Sequence, residues 1–255
     1  MSRLVLVTGA AGGVGTSIVS KFCALGDTVL ANDVSNERLK NLDRVTGRVI
    51  KVAADITDAA GFREAVTDAA RGLGEVDVVV ANAGGASSPT LRKTTLDSWR
   101  RDVEVNLHGA VHTVEAVREG MMTKGKGAII VISSVNALLT LGHPGYSAAK
   151  AGLISYVKAL ATEWGKFGIR ANAILPGTVR TPIWRARVEK NPVIFEQLRK
   201  WYPLGRVVEP EDVAEAVVFL ASDAAKAITG IALPVDCGLT AGNLPLASEL
   251  TVEEW

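Results

Sequence analysis

Short runs of apolar residues recur along the chain, with helical patterns between them. Seven such runs lie at residues 4–7, 28–31, 49–53, 76–80, 128–132, 171–175 and 231–235. Short, nearly continuous runs rich in Val and Ile are typical of strands buried on both faces of a parallel sheet. Because parallel strands joined by helices need right-handed crossovers, the pattern predicts an α/β fold. We expect a doubly wound sandwich, with a seven-stranded parallel sheet and helices on both faces.

The alternation is interrupted from about residue 181 to residue 203, where the sequence is rich in Trp, Arg and Pro. Open α/β sheets bind ligands at the carboxyl ends of their strands, so we interpret this insertion as a lid over that edge. The sequence has no Pro- or Ser-rich linker, repeat or low-complexity tract, and we expect residues 1–255 to form one domain. The tail, residues 244–255, is too apolar to be solvated. We expect it to pack near the lid, on its own or a neighbouring subunit.

A glycine-rich turn follows the first apolar run and leads into a helical pattern. Glycines in such a turn permit a tight bend, close approach of a ligand to the backbone and tight packing of the helix. The helix N-terminus then presents free N–H groups and a positive dipole to a pyrophosphate. The turn therefore predicts a Rossmann-like dinucleotide site. Its candidate residues are Gly9, Gly12, Gly13, Val14 and Gly15.

Asp33 ends the second run and indicates which dinucleotide would bind. A carboxylate at this place can accept hydrogen bonds from the adenosine ribose and would repel a 2′-phosphate. Val34 and Ser35 supply no cation to offset that repulsion. We therefore predict NAD rather than NADP, the alternative being that Asp33 is a simple turn or cap residue.

Two further strand ends fit the same crevice. Asp55, followed by Ile56, ends the third run and is predicted either to bond the adenine amine or to cap the next helix. Asn82, Ala83 and Gly84 end the fourth run, where small residues let the backbone lie against a ligand.

Tyr146 and Lys150 stand four residues apart at the start of an apolar helical pattern, so they share one helix face. A cation close to a phenol favours the phenolate, so the pair predicts a proton donor or acceptor usable near neutral pH. Ser134 follows the fifth apolar run and offers a hydroxyl at a strand end. An amphipathic helix start is the alternative for Tyr146 and Lys150 taken alone.

Taken together, these residues resemble the classical short-chain dehydrogenase/reductase family. The matching positions span nearly the whole chain in the family's order. They are Thr8-Gly9-x-x-x-Gly13-x-Gly15, Asn82-Ala83-Gly84, Asn106, Ser134, Tyr146-x-x-x-Lys150, Pro176-Gly177 and Thr181.

The resemblance implies a role for each of these side chains. Tyr146 would be the general acid/base, and Ser134 would bond the substrate oxygen, with Ser133 as the less favoured choice. Lys150 would lower the pKa of Tyr146 and hold the nicotinamide ribose, while Asn106 would hold a water linked to Lys150. Pro176, Gly177, Val179 and Thr181 would complete the cofactor site, with Val179 and Thr181 at the carboxamide. The resemblance also implies a homotetramer.

Polar and aromatic residues near these positions are candidates for substrate contact. Asn136 and His143 lie between Ser134 and Tyr146, where they suit extra hydroxyl groups or else cap the loop. Residues 180–200 hold six basic and two acidic residues. Either this is a solvated lid, or Arg185 or Arg187 meets an anionic or hydroxylated substrate, with Trp184 as a wall.

Composition excludes several other classes of protein. The formal net charge of +1 gives no field for nucleic acid or an anionic membrane. The two cysteines lack metal-ligand spacing and are predicted to be free thiols in the cytoplasm. We expect no metal site: the stripe of Glu104, His108 and His112 lacks the zinc-protease pattern, and the segment 120–127 lacks the Ser/Thr of a phosphate loop.

The sequence thus predicts an NAD-dependent oxidoreductase that interconverts a secondary alcohol and a ketone. The expected substrate is a small polar molecule such as a sugar, a polyol or a hydroxy acid. The alternatives are a 3-oxoacyl reductase, a hydroxysteroid dehydrogenase, or an NAD-binding scaffold without activity.

Overall fold

A parallel sheet of seven strands forms the centre of the computed structural model, which describes residues 2–253. The strands are β1 (Leu4–Thr8), β2 (Thr28–Asp33), β3 (Arg48–Ala53), β4 (Val78–Ala81), β5 (Gly127–Ile132), β6 (Ile169–Pro176) and β7 (Ala232–Val235). The helices are α1 (Gly13–Ala24), α2 (Asn36–Leu39), α3 (Ala59–Ala70), α4 (Leu96–Val103), α5 (Gly109–Glu115), α6 (Arg118–Lys124), α7 (Pro144–Trp164), α8 (Arg185–Lys190), α9 (Ile194–Leu198), α10 (Pro210–Leu220) and α11 (Leu244–Thr251).

Short irregular turns of helix join these elements. A π-helical segment, Glu104–His108, connects α4 to α5. Single 3₁₀ turns occupy Lys40–Leu42, Leu91–Lys93, Val135–Ala137, Gly165–Phe167, Pro182–Trp184, Arg199–Trp201 and Asp223–Ala225.

The strand order is β3-β2-β1-β4-β5-β6-β7, and every pairing is parallel. The predicted α/β class and the seven parallel strands are therefore confirmed. The direction of winding reverses between β1 and β4, so a crevice opens beyond the carboxyl ends of these two strands. Open α/β sheets bind their ligands at this switch point.

Alternate residues of the central strands supply two separate cores. Val5 and Val7 point to the layer that contains α1 and α10, whereas Leu4 and Leu6 point to the layer of α3, α5 and α7. All four side chains are almost fully buried. Burial on both faces explains why the strands read as continuous apolar runs rather than as an alternating pattern.

The interruption at residues 181–203 consists of short helices outside the sheet, from Pro182–Trp184 through α8 and α9 to Arg199–Trp201. The tail helix α11 packs against Arg199–Trp201, as predicted for the tail, but leaves Leu250 75% and Val252 90% exposed. Trp255, which belonged to the same prediction, lies outside the described residues. Among residues 2–253, no helix is both long and apolar enough to span a bilayer.

Candidate active site

Ser134, Tyr146 and Lys150 come together at the carboxyl end of β5. Ser134 follows that strand directly, and the first two turns of α7 carry Tyr146 and Lys150. The Ser134 hydroxyl is hydrogen-bonded to the Tyr146 phenol. The Lys150 ammonium nitrogen lies 5.4 Å from the centre of the Tyr146 ring. The three predicted side chains are therefore neighbours.

The two adjacent serines have different partners. The Ser133 hydroxyl donates to the Lys150 carbonyl at 2.8 Å and is buried, so it fastens β5 to α7. Ser134 instead faces Tyr146 and accepts a hydrogen bond from the Asn136 backbone N–H at 3.1 Å. The hydroxyl positioned for chemistry is thus that of Ser134.

Burial dominates the ionisation of both titrating groups. Burial raises the pKa of Tyr146, and the hydrogen bond from Ser134 opposes this only in part. Burial lowers the pKa of Lys150 to about 7. The expectation that Lys150 lowers the tyrosine pKa is not met here, because burial outweighs the interactions that favour the phenolate. The phenol is a proton donor in this state.

The Lys150 amine is held by one strand carbonyl. Its Nζ donates to the Ile132 carbonyl at 2.8 Å, and the side chain is 3% exposed. A Cβ at Gly84 would lie 3.2 Å from this nitrogen and 2.6 Å from Asn106 Oδ1. Glycine is therefore required at position 84, because Lys150 and Asn106 occupy the space that a larger side chain would need there.

Asn106 lies in the π-helical segment and is fully buried. Its Nδ2 donates to the carbonyls of Gly85 and Asp102, both at 2.7 Å, and its Oδ1 accepts from the Gly85 N–H at 3.0 Å. The side chain thus fixes the backbone after β4 beside Lys150. The backbone that carries Asn106 is a π turn, a rare form of helix that is frequent at functional sites.

The glycine turn is shaped as its spacing predicts. Gly9 adopts φ +63°, and a Cβ at Gly15 would lie 2.2 Å from the Gly9 carbonyl oxygen. No side chain caps the N-terminus of α1 at Gly12, so its first N–H groups can bind an anion. A Cβ at Gly13 would lie 2.8 Å from the Thr181 methyl group, so Thr181 packs directly over the turn.

A cavity of about 460 Å³ extends from Gly9 along the carboxyl ends of β2 and β3. Asp33 lines it and is 5% exposed. Its Oδ2 accepts from the Ala11 N–H at 3.1 Å, and its Oδ1 accepts from the Val34 N–H at 2.9 Å. These bonds hold a carboxylate at the place predicted for the adenosine ribose.

Arg38 also lines this cavity, and the sequence analysis missed it. Its Nε lies 2.6 Å from Asp33 Oδ1, and its side chain is 53% exposed. Val34 and Ser35 supply no cation, as noted above. The cation comes from Arg38 in α2, five residues after Asp33. An arginine in the first turn of the following helix was the available signal.

Two other residues predicted at the cofactor have structural partners. Asp55 Oδ1 accepts from the backbone and hydroxyl of Thr57, at 2.9 and 2.8 Å, and the cap of α3 is Asp58. The alternative that Asp55 caps the next helix is therefore wrong. Asp55 and Ile56 both line the cavity. Asn82 Nδ2 donates to the Thr8 and Gly9 carbonyls at 3.0 and 3.1 Å, so this amide ties β4 to the glycine turn, with Ala83 against Gly9.

The segment after β6 lies over the same edge. Pro176 ends the strand, and a Cβ at Gly177 would lie 3.4 Å from the Tyr202 ring. Val179 pairs with Val208 in an isolated bridge. Backbone pairing and the aromatic ring of Tyr202 thus fix the path of the chain to Thr181.

Asn136 and His143 hold the loop between Ser134 and Tyr146. Asn136 Nδ2 donates to the Gly142 carbonyl and the Ser147 hydroxyl, both at 3.0 Å. His143 has φ +53° and its Nδ1 bonds the Ser88 carbonyl at 3.1 Å. One nitrogen of each side chain thus serves the loop, in the way that the alternative interpretation expects. His143 also meets the Tyr146 ring edge to face, at 6.5 Å between centroids.

A second cavity, of about 640 Å³, lies between this loop and the lid. Trp184 lines it, as predicted, but Arg185 does not. Arg187 stacks on Trp184 at 4.6 Å, so its cation faces the indole. Leu139, Leu141 and Tyr202 also line the cavity, and the sequence analysis did not identify them. They were not found because the cavity forms only when distant segments fold together.

The excluded sites have ordinary roles. Within the part of the chain that the structure describes, no three His, Cys, Asp or Glu side chains form a potential metal site. His108 pairs with Glu104 at 2.7 Å, and His112 bonds the Ile56 carbonyl at 2.8 Å. The segment 120–127 is the end of α6, closed by Gly125 with φ +66°. Cys23 and Cys237 are buried free thiols.

Known proteins share this arrangement. A family model described as Enoyl-(Acyl carrier protein) reductase matches residues 9–240. The chain is 53% identical to an oxidoreductase of the short chain dehydrogenase/reductase family from Burkholderia thailandensis, whose crystal structure superposes with a TM-score of 0.95 and covers 100% of this chain and 99% of that one.

Two more distant proteins bear on substrate and cofactor. D-threitol dehydrogenase of Mycolicibacterium smegmatis is 36% identical over 93% of this chain and 93% of its own length. A 3-oxoacyl-[acyl-carrier protein] reductase from Brucella melitensis, solved with bound NAD, is 30% identical, with a TM-score of 0.85 and coverage of 93% of this chain and 90% of that chain.

Proposed function

The chain belongs to the short-chain dehydrogenase/reductase family and is an oxidoreductase, and from this premise we propose that it interconverts a secondary alcohol and a ketone with NAD. The observation that carries the proposal is the contact of Ser134, Tyr146 and Lys150 beside the switch point of the sheet.

Tyr146 is proposed as the general acid/base. When a nicotinamide cofactor is bound, it supplies the hydride chemistry. The Tyr146 phenol would give its proton to the carbonyl oxygen in reduction and take the hydroxyl proton in oxidation. Ser134 would bond the same oxygen as its charge changes. Lys150, with a pKa of about 7, would exchange a proton near neutral pH and hold the nicotinamide ribose.

The residues present fit a dinucleotide. The uncapped N-terminus of α1 suits the pyrophosphate, and a Cβ at Gly9 would lie 2.7 Å from Ala83 Cα. The cavity beside Asp33 suits the adenosine. Thr181 lies over Gly13, between this turn and the lid, where it would reach the carboxamide.

NAD is proposed over NADP because Asp33 is buried and oriented by two backbone N–H groups. A fixed carboxylate repels a 2′-phosphate. The Arg38 guanidinium moderates this repulsion, so the proposed preference is for NAD with some use of NADP. The family uses nicotinamide cofactors, and the Brucella relative was solved with NAD.

The predicted small polar substrate stays a prediction. The similarity to D-threitol dehydrogenase favours it. Asn136 Nδ2 and His143 Nδ1 are used within the protein, so any contact with such a substrate would come from Asn136 Oδ1 and His143 Nε2. A 3-oxoacyl substrate is the second candidate, favoured by the Brucella relative.

The oligomeric state, partners and cellular location of the protein are also proposals. We propose a homotetramer, with no nucleic acid or membrane as partner. The buried free thiols fit a reducing cytoplasm. The tail helix, with Leu250 and Val252 exposed in one chain, suits a contact between subunits.

The test of the proposed function is NADH formation over a panel of secondary alcohols. We expect Tyr146→Phe to lower kcat/KM about 10²–10⁴-fold, the usual contribution of a general acid/base. NAD binding, measured by calorimetry, should change little, which separates lost chemistry from a lost site. Full activity in Tyr146→Phe would exclude the assigned proton donor, and inactivity of the unmodified protein on every alcohol would favour the scaffold alternative.

A further inference from the structure

The cavity between the loop after Ser134 and the lid has a chemistry of its own. We propose that it holds the non-reacting part of the substrate, and that this part is an uncharged apolar group, such as an aryl or alicyclic ring. This inference rests on the proposed interconversion of a secondary alcohol and a ketone, and it puts an apolar substrate in place of the predicted small polar one.

The cavity lies between two segments that adjoin the reacting groups along the chain. Leu139 and Leu141 belong to the loop that runs from Ser134 to Tyr146. On the opposite side, Thr178 follows Gly177, and Trp184 follows Thr181, in the segment that packs over the glycine turn. An alcohol carbon placed at Tyr146 would therefore direct its larger substituent between these two segments.

The lining is apolar and carries no formal charge. Among the described residues that line it, none is Asp, Glu, Lys, Arg or His, and its large side chains include Leu139, Leu141, Trp184, Leu198, Trp201 and Tyr202. A volume of about 640 Å³ is within the usual range for sites that bind drug-sized molecules. A sugar or a phosphorylated group would lose hydrogen bonds to water here without replacement.

Three polar groups of the lining are held by hydrogen bonds within the protein. The Thr240 hydroxyl donates to Asp236 at 2.6 Å. Asn243 accepts from the Leu246 N–H at 3.2 Å as the cap of α11. The Tyr202 hydroxyl accepts from the Thr178 N–H at 3.1 Å. These bonds fix the walls and use part of the hydrogen-bonding capacity that a hydroxyl-rich ligand would need.

Trp184, which forms an aromatic wall of the cavity, is held in place by side chains outside the cavity. Trp184 packs on Phe195 at 5.4 Å between centroids and under Arg187. Arg180 in turn covers Phe195 at 4.5 Å and pairs with Glu209 at 2.9 Å. A preformed flat wall favours a rigid ring over a flexible chain, because less ordering is needed on binding.

Several lining side chains are left half-exposed. Leu141 is 51% and Trp201 is 40% exposed, although both are large and apolar. An apolar group bound between them would remove this surface from water. Each buried methylene would raise affinity about four-fold.

The experiment compares neutral secondary alcohols of increasing apolar size, namely 2-propanol, 2-butanol, 1-cyclohexylethanol and 1-phenylethanol, with threitol and lactate. We expect kcat/KM with NAD to rise along the apolar series and to exceed that for threitol and lactate. Leu141→Gln, at an exposed position that should not affect folding, should lower kcat/KM for 1-phenylethanol about ten-fold or more and leave 2-propanol within about three-fold. Ile183→Ala, 73% exposed beside Trp184 and outside the lining, is the matched control.

Binding gives a readout that does not need turnover. Acetophenone, the ketone of the series, should quench the fluorescence of Trp184 and Trp201 saturably, and Leu141→Gln should weaken that binding. Saturable quenching without turnover of any alcohol would contradict the proposed function while supporting an apolar site. Turnover that favours threitol or lactate would overturn the inference alone. The inference would also be overturned if kcat/KM stayed constant along the apolar series and Leu141→Gln had no effect. This result is expected if the tail of a second copy fills the cavity.

Discussion

At the scale of the residue, burial controls the chemistry of the candidate site. Lys150 is 3% exposed and its pKa falls to about 7, while burial raises the pKa of Tyr146. Both shifts favour the neutral form, because removing water penalises charge of either sign. Tyr146 and Lys150 are therefore suited to transfer a proton, and they do not form a stable pair of opposite charges.

The interaction of Ser134 with Tyr146 is expected to lower the pH at which alcohols are oxidised. Oxidation needs the phenolate as base, so its rate should rise with pH towards the raised pKa of Tyr146. Ser134 lowers that pKa, so Ser134→Ala should move the rise to higher pH as well as reduce kcat. The measurement is kcat/KM against pH for oxidation, with Ser133→Ala as the control that keeps the pH dependence. A shift to lower pH in Ser134→Ala would contradict this assignment.

Arg38 and Asp33 together set the preference between the cofactors. Arg38→Gln removes the cation beside Asp33, so binding of 2′,5′-ADP should weaken about ten-fold or more, while ADP binding stays within about three-fold. Asp33→Asn should have the opposite effect and improve use of NADP. Calorimetry with the two fragments, and kcat/KM with both cofactors, measure the change.

Arg101 is the control for charge alone. It lines the same cavity, and among residues 2–253 it forms no ion pair. Arg101→Gln should therefore affect the two fragments less and more equally. Equal losses of both fragments in Arg38→Gln would mean that Arg38 shapes the cavity without distinguishing the 2′-phosphate.

At the scale of the element, the first strand, turn and helix form one unit whose geometry leaves no room for side chains. A Cβ at Gly15 would clash with the backbone of Gly9 and Ala10, and one at Gly9 with the backbone of Ala83, whereas a Cβ at Gly12 would make only ordinary contact. This unit explains why one short glycine pattern predicts both the fold and the cofactor site. The contact between Gly15 and Gly9 lies within the turn, whereas Gly9 and Gly13 also meet Ala83 and Thr181 from distant parts of the chain.

The two glycines Gly15 and Gly12 should therefore respond differently to substitution. A Cβ at Gly15 would lie 2.2 Å from the Gly9 oxygen, whereas one at Gly12 would lie 3.4 Å from it. We expect Gly15→Ala to lower the free energy of unfolding by about 3 kcal/mol or more, because the backbone must move. Gly12→Ala, at an ordinary φ of −78°, should cost below about 1 kcal/mol. Urea unfolding without cofactor measures both, and equal costs would show that the turn has room at Gly15.

At the scale of the whole molecule, the active site and the lid cavity lie at one edge of the sheet. Parallel strands place their carboxyl ends together, so residues far apart in sequence meet there. The lid and α11 then pack over this edge, with apolar side chains facing outwards. A surface of this kind is expected to pair with another subunit.

Light scattering should find four times the mass of the 255-residue chain at micromolar concentration. Leu250→Glu places a charge on α11, where Leu250 is 75% exposed, and should reduce that mass if the tail joins subunits. Leu25→Glu, at a 57% exposed position after α1, is the matched control and should leave the assembly intact. A monomer in the unmodified protein would exclude the tetramer.

The sequence alone determined those features whose physics is local. Apolar runs of strand length with helices between them specify a parallel sheet buried on both faces. A glycine turn places a helix N-terminus at the first strand, and a spacing of four residues puts Tyr146 and Lys150 on one face. These follow from backbone periodicity and from contacts a few residues long.

Tertiary structure decided the features that depend on distant segments. It gave Asp33 an arginine partner from α2 and committed Asn136 and His143 to their loop. It also placed Leu141, Trp184 and Tyr202 around one apolar cavity, and buried Lys150 deeply enough to lower its pKa. The burial of a side chain and its hydrogen-bond partners depend on neighbours from distant parts of the chain. The sequence does not show which residues become those neighbours. Substrate preference depends on burial and on the choice of partners, so it is decided by tertiary packing and not by the motifs.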